Sequence, residues 1–457
     1  MNRERFDTLL AAKAEEIQKE ALELSHDLWL HPELSGEEHR SCRVLAERAA
    51  AHGFRVTVPF AGMETAFLAE YRTDGGAEGC QGAPGKLPTV AFLAEYDALP
   101  GYGELSPDGS GNAHACGHNW ISAVSFAAAV SLKEAVEAWN LEAENAGNLE
   151  AGNAENAGNA VDAGRAPVAA RILLIGTPAE ETWGGKIKMA DEGFLKELAM
   201  DAVFECHLSG IPKHCFENYL LALTDMRYTF LGKASHAAVH PELGINALDA
   251  LNLMYNGVSC LRQQVLPDTR IHARVQEGGE AVNIIPDRTS VQYYLRSGKR
   301  SYLEQLVERV NDCARGAALM TGCRAEIERK PLVFSDMQNN APLVRRAEEH
   351  YLKTAGISGT ARREEIFRED SVFTAPSGDI GNASYEAPSF YGVFSTAPES
   401  GGADIHDAAY LPVTDSAKAG ELLLLAGKTI SATAADVLTD ESFRAAVRGA
   451  WEKMTLC

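Results

Sequence analysis

The most constraining feature of this chain is a set of short apolar runs of strand length, PTVAFLAEYDAL (88–99), ARILLIGT (170–177) and DAVFECHL (201–208), separated by longer segments of helical composition. Parallel strands need long crossovers, so this alternation predicts an α/β domain with a mostly parallel central sheet. Functional residues are then expected at the strand ends and in the loops that follow them. The Ala-rich segment between Trp120 and Trp139 reads as a long helix whose apolar first half is buried on that sheet. Near the C-terminus, FYGVFST and DSAKAGELLLLAGKTISATAADVL add a further strand and a closing helix.

Between these blocks the texture changes. Strand, helix, strand, strand, helix and strand follow one another from MRYTFLGKA to CRAEIERKP. That βαββαβ order is the ferredoxin-like arrangement and is self-contained. The economical organisation is a lid or dimerisation domain, residues 220–331, inserted into a discontinuous catalytic domain of residues 1–219 and 332–457. A further stretch, LEAENAGNLEAGNAENAGNAVDAG (141–164), repeats ENAGN and is dominated by Asn, Gly, Ala and Glu. Such a segment buries too little surface to offset its ordering entropy, so it reads as a solvated surface insertion.

Composition excludes some roles. The 42 Lys and Arg against 64 Asp and Glu give a net charge of −22, which repels nucleic-acid phosphates and anionic lipid headgroups. No stretch is read as approaching the roughly 20 apolar residues that cross a bilayer. The N-terminus reads as a charged amphipathic helix and not a secretion signal, and the expected location is cytoplasmic. Nine cysteines without regular spacing do not describe a disulfide framework, so a special cysteine here is a ligand or a nucleophile.

Four segments carry the chemistry. In GNAHACGHN, Cys116 and His118 stand two apart, so in extended backbone both side chains project to one side and can share a metal. GTPAEETWGGK follows a strand and places Glu180 and Glu181 at its carboxyl end. Adjacent side chains point apart there, so one acid can bind an ion while the other handles a proton. FECHL sets His207 at the next strand end, and GGADIHD sets His406 in a Gly-rich loop. Their combined N, S and O donors suit Zn or Mn.

With AEYDALPG, HACGHN, GTPAEE and GKASHAAVHPELGINALDA in this order, the chain resembles the M20 metallopeptidase and amidohydrolase family. The likeness is to its Cys-containing branch of aminobenzoyl-glutamate hydrolase subunits and M20 domain-containing dipeptidases. The resemblance implies one or two divalent ions, Zn or Mn, a small substrate with a free carboxylate, and a homodimer formed through the lid. It implies Cys116, His118, Glu181, His207 and His406 as ligands, Glu180 as general base, and Asp97 as the carboxylate that orients a ligand. In the lid it implies that His236, Asn283 and Arg296 contact the substrate, His236 reaching in from the partner protomer. One departure is Glu95, where many members carry a histidine ligand. The expected reaction is hydrolysis of a linear amide in a dipeptide or N-acyl amino acid. An aminobenzoyl-glutamate-type amidohydrolase and an inactive metal-binding regulatory subunit stand as alternatives.

Overall fold

The structure, a computed structural model, describes residues 2–74, 87–152, 166–357, 363–373 and 375–455. The chain forms two compact units, Met1–Asn218 with Gln338–Asp370 and Ala383–Cys457, and Tyr219–Met337 with Ser371–Asn382.

The larger unit is built on a six-stranded sheet in the spatial order Arg55–Thr57, Phe67–Arg72, Arg171–Gly176, Thr89–Ala94, Ala202–Ser209, Ser389–Ser395. The last four strands are mutually parallel, and the first two are joined antiparallel at one edge. Every residue of Thr89–Ala94 and Ala202–Ser209 is buried, which is why these strands read as nearly unbroken apolar runs. The helices Arg3–Leu30, His118–Gly152 and Ala417–Thr439 contribute Phe6, Leu24, Trp120, Phe126, Leu422 and Ile430 to the same core.

Two features differ from the sequence reading. The helix after HACG runs from His118 to Gly152, so the first half of the 141–164 segment is helical and not loop. Leu, Ala and Glu are good helix formers, and extending an existing helix avoids the cost of nucleation. The remainder of the insertion lies outside the described residues. Secondly, Ala417–Thr439 is long and apolar enough to cross a bilayer, with a mean hydropathy of 1.3, yet 72% of that stretch is buried inside the protein. Its apolar character serves the core, where it packs against the His118–Gly152 helix.

The smaller unit is a four-stranded antiparallel sheet in the order Arg324–Phe334, Ala222–Leu231, Arg288–Ser297, Arg270–Glu277. Helices Ala247–Leu261 and Arg300–Thr321 bury Leu251, Met254, Leu306 and Val310 against Tyr228, Phe230 and Tyr293. Residues 371–382, which the sequence reading leaves with the catalytic domain, belong to this unit. Leu221 N donates to Pro376 O at 2.7 Å, and the Asn382 side chain bonds Ser335 N and Val333 O at 2.9 Å each. Hydrogen bonds between segments distant in sequence leave no trace in local pattern.

The start of the long helix is pinned where it matters for the site. Trp120 Nε1 donates to Ala419 O at 2.8 Å, and Asn119 Nδ2 donates to Ser25 Oγ at 3.0 Å and Thr414 O at 3.2 Å. Trp120→Phe leaves the buried Ala419 carbonyl without its donor, so the unfolding free energy should fall by about 1–3 kcal/mol. Denaturant titration of purified protein measures it; an unchanged midpoint and slope would show that the bond contributes nothing.

Candidate metal centre

Glu95 and Asp97 follow Thr89–Ala94, Glu180 and Glu181 follow Arg171–Gly176, and His207 lies near the end of Ala202–Ser209. All stand at the carboxyl ends of neighbouring parallel strands, and His118 opens the long helix beside them. The five residues Cys116, His118, Glu181, His207 and His406 are brought together. Cys116 Sγ is 3.4 Å from His207 Nε2 and 3.3 Å from His406 Nε2, and Glu181 Oε1 is 3.1 Å from His406 Nε2. Cys116, His118 and His207 can offer ligand atoms within 4.8 Å of one another, as can Cys116, Glu181 and His406, and His118, Glu180 and Glu181.

The imidazoles are oriented from behind. His118 Nδ1 donates to Asp97 Oδ1 at 2.8 Å, and His207 Nδ1 donates to the Leu208 carbonyl. Each ring therefore turns its Nε2 towards the thiol and carboxylates, the nitrogen that ligates a metal once it gives up its proton. His118 Nε2 is fully buried without a hydrogen-bond partner, 3.3 Å from Glu95 Oε2 and 3.9 Å from Glu181 Oε1.

Burial would lower the His118 pKa, but Cys116, Asp97 and Glu95 raise it well above its ordinary value. Burial, and next the Glu181 charge, push the Cys116 thiol well up. Burial also opposes ionisation of Asp97, yet His118 and the N–H and O–H donors around it hold Asp97 down at about 2. The cavity field is thus strongly anionic and its inward donors are soft or borderline. These residues fit a divalent cation, which would neutralise the carboxylates and allow Cys116 to ionise.

Local backbone geometry supports this arrangement. Ala179 and His406 adopt left-handed conformations, φ 62° and 68°. Strain of that kind, of order 1–3 kcal/mol per residue, is held at functional sites by surrounding structure. For His406 the clamps are its own N–H to Ala115 O at 3.0 Å and Tyr102 Oη to His406 O at 3.0 Å. For the acid-bearing turn, Gly184 N donates to Ala179 O at 2.8 Å, and a Cβ at Gly185 would lie 2.3 Å from Pro178 O. The adjacent Gly184, at φ +67°, and Gly185 are therefore required by the tight return of the chain. The sequence reading missed Lys186. Its ammonium is fully buried and pairs with Glu95 and with Glu205, the latter at 3.3 Å. A lysine directly after paired glycines, flanked by apolar residues, was the available signal.

In the smaller unit, His236 and Asn283 are exposed and adjacent. Ala237 N donates to Asn283 O at 3.0 Å, and residues 236 and 284 form a bridge. His236 Nδ1 accepts from Ala238 N at 3.2 Å, which leaves Nε2 as the donor. Arg296 is not beside them. It pairs in register with Leu223, whereas Arg288, the strand's first residue after the Asn283 loop, pairs with Leu231. Eight strand residues at about 3.3 Å each separate the two positions by about 26 Å. The anchor expected from Asn283 and Arg296 together is therefore not assembled within one lid, because an alternating pattern assigns faces of a strand but not distance along it. Arg296 Nη1 donates to Ser377 Oγ at 2.9 Å.

Fold and clustered donors are those of an α/β protein with residues able to hold a metal ion. Residues 222–319 match the peptidase dimerisation domain of the M20 family. The chain is 34% identical to the mouse (Mus musculus) Xaa-Arg dipeptidase over 452 residues, 96% of this chain and 91% of that one. It is 30% identical to one of the p-aminobenzoyl-glutamate hydrolase polypeptides of Escherichia coli over 66% of this chain and 56% of that one. Its fold is similar to that of the Bacillus subtilis YXEP protein, a dinuclear metal-binding M20 peptidase, with a TM-score of 0.62 at 19% identity, covering 93% of this chain and 99% of that one. The chain belongs to the M20 family of metallopeptidases and amidohydrolases.

Cys116→Ala and His207→Ala should each lose bound metal and activity together, because each removes a donor from a small set. Metal analysis beside rate measurement checks this, and stoichiometric metal with full activity would contradict the ligand assignment.

Proposed function

We infer that this protein is a metal-dependent amide hydrolase acting on a small dipeptide, with N-acyl amino acids as the neighbouring class. The observation that carries the reading is the paired acid turn: Glu181 lies against His406 and Cys116, while a Glu180 carboxylate oxygen also comes within 4.8 Å of a His118 ring nitrogen. A ligand and a proton acceptor side by side are what hydrolysis requires and what a merely metal-storing subunit does not.

A divalent ion bound at this centre supplies Lewis acidity and acidifies water. In the proposed division of labour two ions, Zn or Mn, are held by Cys116, His118, Glu181, His207 and His406. Asp97 keeps His118 in its ligating tautomer. Glu180 takes the proton of the attacking water and delivers it to the leaving nitrogen. The Nε2–H of His236 donates to the developing oxyanion. Glu180→Gln should retain metal and lower turnover by several orders of magnitude, since the amide cannot accept the proton. Near-normal turnover with metal present would remove Glu180 from the mechanism.

Among substrates, an Xaa-Arg or Xaa-Lys dipeptide is favoured. The likeness to the dipeptidase spans nearly the whole of both chains, and a chain of net charge −22 draws cationic substrates by long-range attraction. Release of free amino acid from Xaa-Arg, Xaa-Lys, N-acetyl amino acid and aminobenzoyl-glutamate substrates tests the order. The described cysteines are all free thiols, which agrees with a cytoplasmic location.

The protein acts in this reading as a homodimer joined through the smaller unit. Because His236 with Asn283 and Arg296 sit at opposite ends of one sheet, they attend the same substrate only if two protomers supply them. Arg296 then reads the substrate carboxylate. Mixing inactive His236→Ala and Glu180→Gln chains should recover about one quarter of wild-type activity, since half the dimers are mixed and each has one intact site of two. No recovery despite demonstrated chain exchange would place His236 in its own subunit's site or outside catalysis.

A further inference from the structure

Between the first two helices, Arg3–Leu30 and His39–Ala51, runs the segment HPELSGEE, to which no function is yet assigned. It is clamped at both ends. Ala98 N donates to Glu33 O at 2.8 Å, and the Glu33 carboxylate caps the second helix by accepting from Arg40 N at 2.9 Å and Ser41 N at 2.7 Å. Between the clamps, two side chains face the metal centre's supports. Ser35 Oγ donates at 2.8 Å to Asp97 Oδ2, the same oxygen that accepts Glu181 N at 3.0 Å. Glu38 is completely buried, and its Oε1 accepts the N–H of Ala179 at 2.8 Å.

Ala179 is the left-handed residue immediately before Glu180. Its N–H belongs to the peptide that enters the acid-bearing turn, so the bond to Glu38 holds the point from which that turn starts. On the same segment Gly36, at φ +85°, lies so close to Trp183 that an added Cβ would stand 3.4 Å from the indole Nε1. The segment thus abuts the acid-bearing turn on both sides of the glutamate pair. Burial, and next the Asp97 charge, push the Glu38 carboxyl up to about 7. A carboxyl placed there at such electrostatic cost, with its hydrogen-bond donor, the Ala179 N–H, on a strained turn, has a geometric task.

We propose that Ser35 and Glu38 are positioning residues for hydrolysis: Ser35 fixes Asp97 and through it His118, and Glu38 fixes the turn that aims Glu180 beside Glu181. The Glu38 half rests on the reading of Glu180 as the base. The Ser35 half does not, because its readout is metal affinity.

Metal affinity is measured by competition with a chromophoric chelator, and kcat and KM are measured separately, for Ser35→Ala, Glu38→Ala, Glu38→Gln and Glu38→Asp. Ser35→Ala should weaken metal affinity about 10–100-fold, the usual effect of losing a partner behind a ligand. Glu38→Ala should lower kcat about 100-fold with KM and metal content unchanged, as expected for a base displaced by about 1 Å. Glu38→Gln keeps an acceptor for Ala179 N and should restore most of kcat. If Glu38→Ala does not fold, Glu38→Asp decides, since its shorter arm should reproduce the kcat loss in folded protein. Unchanged metal affinity in Ser35→Ala overturns the first half. Unchanged kcat in Glu38→Ala, or in Glu38→Asp if Glu38→Ala does not fold, or Glu38→Gln as impaired as Glu38→Ala, overturns the second. Glu180→Gln assayed alongside separates the causes, because its retained activity would sink the base assignment and leave the Ser35 result standing.

Discussion

Burying carboxylate charge at the ends of parallel strands is the constraint around which the larger unit is arranged. Glu95, Asp97 and Glu205 are almost wholly inaccessible, and Glu181 nearly so. An unpaired buried carboxylate is strongly unfavourable, so each must find a cation or a set of donors. Lys186 answers Glu95 and Glu205 from below the sheet end, and Ser35, His118 and a backbone N–H answer Asp97. What those partners leave over is an anionic cavity with a thiol and inward-facing imidazole nitrogens, which a divalent ion completes. The strained backbone at Ala179 and His406, the glycine pair after the acids and the pinned start of the long helix serve that cavity and are otherwise costly.

Glu95 illustrates how a buried charge is met at such a site: its carboxylate is taken by Lys186. Lys186 and the other Glu95 interactions hold that carboxylate below its ordinary pKa in spite of complete burial. The pair keeps Glu95 ionised next to His118 without adding a free acid. In the smaller unit, His236 and Asn283 are exposed on loops, whereas Arg296 is half-buried within the antiparallel sheet, whose outer strand, Arg270–Glu277, is largely solvent-facing.

Much of this was legible in the residues because a doubly covered parallel strand must be apolar throughout. Thr89–Ala94, Arg171–Gly176 and Ala202–Ser209 announced themselves, and the donors read at strand ends and loops, Cys116, His118, Glu181, His207 and His406, do come together. The antiparallel edge strand Phe67–Arg72 did not, since Glu70 and Arg72 interrupt its apolar pattern. Those charges are tolerated because Arg55 and Arg171 pair with Glu70, a fact visible only once the strands lie together. The helix beyond Trp139 was hidden by a composition typical of loops. The membership of residues 371–382, the buried Lys186 triad and the separation of Asn283 from Arg296 all depend on contacts or register between distant segments. No local period encodes them.

The central claim is that the strand-end cavity is a metal centre in which Cys116 is a ligand. X-ray absorption on protein loaded with zinc tests it directly, because sulfur and light-atom neighbours are resolved by distance. The account predicts a sulfur neighbour at about 2.3 Å together with nitrogen and oxygen at about 2.0–2.2 Å, and loss of the sulfur shell in Cys116→Ser. A shell made entirely of nitrogen and oxygen in the unsubstituted protein, or a sulfur shell that survives Cys116→Ser, would contradict it.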